Sequence, residues 1–138
     1  MILKVFTDGG SRGNPGVSGF GFVVTDEVDT ILYKESKYLG IKTNNEAEYM
    51  GLISAIGWLN AHKNNYDISQ VHFYSDSQLL VRQMQGIYKI KSENLKPLFQ
   101  AASSLLSELN LPYQFTDIRR NFNTIADGLA NEAMDRRS

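Results

Sequence analysis

The sequence predicts a mixed α/β fold, a sheet of strands flanked by helices, and two observations carry that prediction. The N-terminal third reads as three consecutive strands, and the remainder alternates helices with strands. Residues 2–7, 19–25 and 30–39 carry Phe, Val, Ile and Tyr between Gly, Asp and Asn punctuation, the signature of short strands. Asp26–Asp29 is a short polar connection, so the second and third segments form a hairpin. From Asn45 to about Asn60 the apolar residues recur three and four apart, which is the helical period. "VHFYSD" is a short strand with a helix starting just after it. Residues 93–109 read as a helix, with Pro97 near enough to the start to sit in a first turn and Pro112 to stop it. "YQFTDI" supplies a fifth strand and residues 124–135 a last helix.

The 138 residues are of even composition, with no Pro-, Ser- or charge-rich linker, no internal repeat and no low-complexity tract. Residues 1–138 therefore read as a single domain with one core. No apolar run is long enough to span a bilayer, and no charged-then-apolar leader resembles a signal peptide. The absence of cysteine excludes disulfides and thiolate metal sites and suits a cytoplasmic protein. A net charge of −1 argues against a generally basic nucleic-acid binder. Any contact with phosphates has to come from local clusters of Lys and Arg.

Four acids stand at the ends of elements. Asp8 closes the first strand, where the densest turn signal of the chain, "GGSRGNPG", begins; Asp76 closes "VHFYS". Each is also an ordinary turn starter, since an Asp side chain bonds backbone amides two residues on. Ligand sites in mixed and parallel sheets, however, lie beyond the carboxyl ends of the strands, where two such acids can converge. Glu46 and Glu48 open the long helix two residues apart and so point nearly opposite ways. Glu48 shares a face with Leu52, Ala55, Ile56 and Leu59, the more apolar stripe, and is the acid expected to point inward. Glu46 is explained by the helix dipole alone. Asp127, in "NTIADGLANEAM", borders the stripe of Ala126, Leu129, Ala130, Ala133 and Met134, with Asn123 as the N-cap.

Carboxylates gathered at one sheet end repel each other unless protonated or neutralised. Hard divalent cations supply the neutralisation, and Mg²⁺ takes oxygen ligands in such sites, shared with substrate phosphates. With no Cys and two His, zinc is a poor candidate. The chemistry that most needs an all-carboxylate site is two-metal phosphodiester cleavage, in which one ion activates water and the other stabilises the leaving oxygen.

In order along the chain, "TDGGSRGNPG", "TNNEAEY", "YSDSQLLVRQ" and "RNFNTIADGLANEA" resemble the successive signatures of type 1 ribonuclease H, from about residue 4 to residue 134. The resemblance implies a ribonuclease H-like fold, a five-stranded mixed sheet with the first three strands antiparallel, flanked by helices. It also implies an endoribonuclease that hydrolyses the RNA strand of an RNA–DNA hybrid with two Mg²⁺ ions, for which Mn²⁺ can substitute. Carried over by position, Asp8 bridges both ions, Asp127 joins it on the ion that activates water, and Glu48 and Asp76 hold the second. Gly9, Ser11, Gly13 and Asn14 match the stretch along the RNA strand. Asn44, Asn45 and Gln78 match contacts in the minor groove, and Thr43 with Asn14 matches a phosphate pocket for the DNA strand. The partner is the RNA–DNA hybrid, with no membrane, and the protein is expected to be a monomer. Double-stranded RNA is an alternative substrate, and a silent hybrid-binding module an alternative function; the presence of all four acids argues against the latter.

Two features depart from the family pattern. The region before Asp127 reads "IRRNFNTIAD", with Arg119 and Arg120 where many members carry a His. Between Gln83 and Glu93 there is only "MQGIYKIKS", with no extra basic helix, as in the compact, handle-less branch. The strongest basic bias runs from Arg82 to Lys96, with Arg82, Lys89, Lys91 and Lys96 against the single acid Glu93, and Tyr88 among them. Lys89 and Lys91 are expected on phosphates of the DNA strand and Tyr88 on a sugar, against the alternative of a solvated loop. His62 suits the end of its helix, His72 a partly buried strand face and Trp58 the packing. The "GGSRGNPG" stretch lacks the Gly-Lys-Ser/Thr ending of a P-loop.

Overall fold

The computed structural model describes residues 1–138. Five strands, β1 (Ile2–Arg12), β2 (Gly16–Thr25), β3 (Ile31–Lys42), β4 (Gln70–Ser75) and β5 (Tyr113–Asp117), form one sheet in the order β3-β2-β1-β4-β5. The β1–β2 and β2–β3 pairs are antiparallel; β1–β4 and β4–β5 are parallel. The helices are α1 (Asn44–His62), α2 (Gln78–Met84), α3 (Lys96–Leu109) and α4 (Thr124–Arg136). This is the mixed sheet that the sequence predicts, with its first three strands antiparallel.

The main core lies on one face of the sheet. Leu3 and Val5 of β1, Phe20 and Phe22 of β2 and Phe73 of β4 meet Leu52, Ile56 and Leu59 of α1, and Ala102, Leu106 and Leu109 of α3 extend the cluster. Helix α4 covers the opposite face. A Cβ built at Gly21 would lie 2.4 Å from Leu129 Cβ and 2.6 Å from the Ala126 carbonyl oxygen, so the bare backbone of β2 is what lets α4 approach. On the first face Gly9 does the same for α1: a Cβ there would lie 2.4 Å from Ala47 C and Glu48 N.

The boundaries differ from the sequence reading in a way that matters for the site. Strand β1 does not end at Asp8; it runs on through Gly9–Arg12, paired with Val17–Phe20, so "GGSRGNPG" is mostly strand around a turn at Gly13. Periodicity fails there because glycines carry no side chain to alternate. What does end beside Asp8 is the parallel ladder, whose last pair is Thr7–Ser75. Helix α3 begins at Lys96 with Pro97 in its first turn, after a turn over Ser92–Leu95, and it ends at Asn110 in the left-handed region (φ 53°), before Pro112. Lys63 Nζ donates to the carbonyls of Glu108 (2.8 Å) and Leu109 (2.9 Å), satisfying the end of that helix.

Trp58 packs as expected, stacked between Tyr33 and His62 at centroid distances of 4.9 and 4.6 Å. His62 is further held by a 2.9 Å contact from Nδ1 to the Trp58 carbonyl, and His72 Nε2 lies 3.0 Å from Gln70 Oε1. Neither imidazole faces the acids.

The close approach of α4 sets a stability test. Gly21→Ala should cost about 1–3 kcal/mol by overpacking, read as a lowered melting temperature. Gly128→Ala, where a Cβ meets nothing within 4 Å, should raise stability by about 0.5–1 kcal/mol through helix propensity. Equal effects of the two would contradict the packing described.

Candidate active site

Asp8 is held by pairing on both sides of it: with β2 at Gly21, and with β4 through the preceding Thr7–Ser75 pair. Asp76 follows the last residue of β4, and the 2.9 Å bond from Ile118 N to the Ser75 carbonyl fixes that strand end against β5. Glu48 is carried by the first turns of α1, whose start is fixed by a reciprocal cap. Thr43 Oγ1 accepts from Glu46 N (3.2 Å), and Glu46 Oε1 accepts from Thr43 N (2.9 Å). Glu46 is thus committed to the cap, while Glu48 is 4% exposed and points into the site, as the stripe of α1 predicts.

The carboxylate oxygens of Asp8, Glu48 and Asp76 lie within 4.8 Å of one another. Asp127, from the first turn of α4, lines the same cavity and raises Asp8 but stands outside that group of three. A cavity of about 180 Å³ opens over all four. At this spacing two ionised carboxylates repel by at least about 3 kcal/mol at an effective dielectric near 20, so full ionisation needs a counter-charge. The acids respond accordingly. Burial, then Asp76 and Asp127, push Asp8 up to about 8. Burial raises Glu48 well above the usual carboxylate range, with Asp8 and Asp76 adding to it and the Gly9 amide, donating to Glu48 Oε2 at 3.2 Å, pulling the other way. Asp76 is raised by burial, against which Arg120 acts, its Nε lying 3.8 Å from Asp76 Oδ2. The donor set is all oxygen, with both imidazoles elsewhere, so Asp8, Glu48 and Asp76 could hold a hard divalent ion and suit zinc poorly.

Around the acids the expected substrate residues fall into groups. Gly9, Ser11 and Asn44 line the acid cavity. Asn14 Oδ1 accepts from Asn44 N (3.0 Å), joining the β1–β2 turn to the cap at Thr43. Ser11 Oγ bonds the carbonyls of Gly13 and Lys42 (2.9 Å to the latter), so its hydroxyl braces the turn. Gly13 sits at φ 103°, a conformation that favours glycine. Asn45 shares an open groove of about 560 Å³ with Tyr88, Lys89 and Lys91. Gln78 is the exposed first residue of α2 and lines neither space. Of the basic stretch, Arg82 pairs with Asp117 (3.0 Å) and Lys96 with Glu93 (2.7 Å), which leaves exposed Lys89 and Lys91 without an ion pair.

Sequence reasoning missed three cavity residues with polar side chains: Arg12, Arg120 and Asn131. Arg12 reaches α4 through Asp135 (2.7 Å) and Asn131. Asn131 was detectable, since it stands four residues after Asp127 and so shares its helix face. Arg120 lies in a turn of 3₁₀ helix with no periodicity to place it, although it falls in the region where the expected His is absent.

Residues 6–133 match the family described as reverse transcriptase-like. The chain is 40% identical over 137 residues to the bifunctional protein Rv2228c of Mycobacterium tuberculosis, covering 98% of this chain and 36% of that protein. It is 32% identical to ribonuclease HI of Halobacterium salinarum, over 96% of this chain and 64% of the relative. It thus spans about a third of the mycobacterial relative and under two thirds of the archaeal one. Among solved structures, LC11-RNase H1 in complex with an RNA/DNA hybrid aligns with a TM-score of 0.91 at 41% identity, covering 97% of both chains. RNase H1 of Halobacterium salinarum aligns at 0.88 with 31% identity, over 99% of each chain. The sheet order is that of the ribonuclease H-like fold, with the acidic cavity beside the end of its parallel ladder. The chain belongs to the reverse transcriptase-like family and shares the fold of the RNase H1 structures, with no helix between α2 and α3.

The raised acids set a pH test. Asp8 titrates near 8 in the folded chain against an ordinary value of 3.8. The metal-free folded protein therefore binds more protons than its unfolded chain between those values, and it loses stability as the pH rises across that window. In EDTA the melting temperature should fall from about pH 5 to about pH 8, and Mg²⁺ should restore more of it at the upper end. Asp8→Asn should flatten the slope. A metal-free melting temperature that stays level or climbs over the window would contradict the coupling of the acids.

Proposed function

We propose that the protein is an endoribonuclease that hydrolyses the RNA strand of RNA–DNA hybrids with two Mg²⁺ ions. The observation that carries this reading is the convergence of Asp8, Glu48 and Asp76 within 4.8 Å, with Asp127 lining the same cavity. Bound divalent ions supply the chemistry, one activating water and one stabilising the leaving oxygen. Asp8 and Asp127 would hold the first of these ions, and Asp8, Glu48 and Asp76 the second. A relative solved in complex with an RNA/DNA hybrid supports the choice of substrate.

The chain's own residues orient the duplex. The Asn14–Thr43–Asn44 cluster presents short amides, a hydroxyl and the start of α1 to one strand, and a helix start favours phosphate. Gly9, Gly13 and Ser11 shape the wall along the RNA strand, where the 2′-hydroxyl must be sensed. Asn45 and Gln78 read the minor groove. Lys89 and Lys91, free of carboxylate partners beside Asn45, take phosphates of the DNA strand, with Tyr88 on a sugar. A single domain acting as a monomer in the cytoplasm fits the one continuous core and the cysteine-free sequence.

Matched RNA–DNA, RNA–RNA and DNA–DNA duplexes, incubated with Mg²⁺, Mn²⁺ or no metal, test the reading directly. Only the hybrid with metal should be cut, and a run of deoxynucleotides within its RNA strand should resist cutting inside the run. Comparable cleavage of the all-DNA duplex would overturn the assignment. Amide replacements at Asp8, Glu48, Asp76 or Asp127 should each remove nearly all cleavage in folded protein. Glu46→Gln should leave turnover and stability largely intact, since a Gln side-chain oxygen at this position still accepts from the Thr43 amide.

The groove residues make a separate prediction. A Lys89→Ala, Lys91→Ala double variant should bind hybrid more weakly for every sequence, and its salt slope should drop by about 1 for each phosphate no longer neutralised. Affinity measured against salt in Ca²⁺ gives the answer, and an unaltered slope would show that the lysines face water.

A further inference from the structure

Asn123 precedes α4 in the position of an N-cap, yet its side chain makes no cap bond. It is 1% exposed, and its Nδ2 donates instead to the Thr7 carbonyl at 2.9 Å, across 116 residues of sequence. Its main-chain oxygen accepts the first helical bond of α4 from Asp127 N at 3.0 Å, and its amide donates to the Arg120 carbonyl at 2.9 Å. One buried residue thereby joins the strand position next to Asp8, the turn that carries Arg120 and the helix turn that carries Asp127.

The bond is costly, which argues that it has a use. Asn123 Oδ1 is buried with no partner, and an unpaired buried acceptor is destabilising. A Ser or Asp at this position would cap α4 by the usual route but would not offer an amide donor to Thr7. The side chain gives up the cap in order to fix α4 against β1.

We propose that Asn123 is a positioning residue that sets the distance between the Asp8 and Asp127 carboxylates. It therefore governs the metal position shared by those two acids, and not the one formed by Asp8, Glu48 and Asp76. The geometry is specific to one side of the site: Glu48 is placed by the Thr43–Glu46 cap and Asp76 by the end of β4, neither of which Asn123 touches. The inference rests on the reading of Asp127 as a metal ligand.

The test is calorimetric titration of Ca²⁺ into the protein saturated with hybrid, for wild type, Asn123→Ala, Asn123→Leu, Asp127→Asn and the Asn123→Ala, Asp127→Asn double variant. Leu removes both the donor and the unpaired acceptor, in surroundings that include Phe6, Val23 and Ile125, and so guards against misfolding of the Ala variant; a thermal melt confirms the fold. The binding event that Asp127→Asn weakens should also weaken, by roughly tenfold or more, in both Asn123 variants. The other event should stay within about twofold of wild type, and the double variant should lose no more than Asp127→Asn alone, since the two residues act on one site. In parallel, the Mg²⁺ concentration for half-maximal cleavage should rise while hybrid affinity holds.

If Asp127→Asn weakens an event that Asn123→Ala and Asn123→Leu leave at the wild-type value, Asn123 has no positioning role. Equal weakening of both events by the Asn123 variants would make its role a general structural one, which also overturns the proposal. If Asp127→Asn itself alters nothing, the metal role of Asp127 falls and the inference falls with it, a result distinct from the other two.

Discussion

The arrangement of the site depends on how closely two helices approach a sheet stripped of side chains. At Gly9 the backbone of α1 comes so near β1 that a single Cβ would lie 2.4 Å from it, and at Gly21 the same holds for α4 over β2. Ordinary helix–sheet packing would hold both helices further off on side chains. Bringing the backbones together lets a Glu from the first turns of α1 and an Asp from the first turn of α4 reach one Asp on β1. The Gly9 amide, released by the missing side chain to face α1, also donates to Glu48 Oε2 at 3.2 Å. One glycine thus makes the room and supplies the hydrogen bond.

Such closeness loads the centre of the fold with electrostatic strain. Asp8 and Glu48 are each no more than 5% exposed, and neither has a basic partner within ion-pair distance. Arg120, 81% exposed, offsets part of the charge on Asp76 from the rim. The metal-free site holds protons instead, as the raised Asp8 indicates. A cation that replaces those protons finds its ligands already placed, so the cost of assembling them is met by the packing of α1 and α4. Burial that weakens the empty site is what makes the filled one strong.

The outline of this fold was legible because its elements obey period rules. Strands and helices fell where alternation and the three-four repeat placed them, and the inward face of α1 separated Glu48 from Glu46 correctly. What escaped was written in residues whose role is set across the fold. The Gly9–Arg12 extension of β1 carries no alternation to read. Arg82 and Lys96 counted toward a basic patch in one dimension, but Asp117 and Glu93 take them up in three. Asn123 looked like a cap because sequence cannot show that Thr7 lies beside it.

Charge in this nearly neutral chain is therefore sorted by pairing more than by number. The acids of the site lack basic partners because packing holds them where Lys and Arg cannot enter, Arg120 at the rim excepted. Lys89 and Lys91 lack acidic ones because they sit on a segment, Gln85–Leu95, that has neither helix nor strand to bring a carboxylate alongside. The other base that lines the cavity is tied down, Arg12 to Asp135 at 2.7 Å. A polyanion approaching this surface would meet unpaired positive charge in the groove beside Asn45 and unpaired negative charge in the acid cavity. The phosphate contacts proposed for Lys89 and Lys91 would need no metal, since neither lysine lines the acid cavity. Under the proposed function, removing metal would therefore cost cleavage more than binding, with the two sets of residues acting at separate places on one duplex.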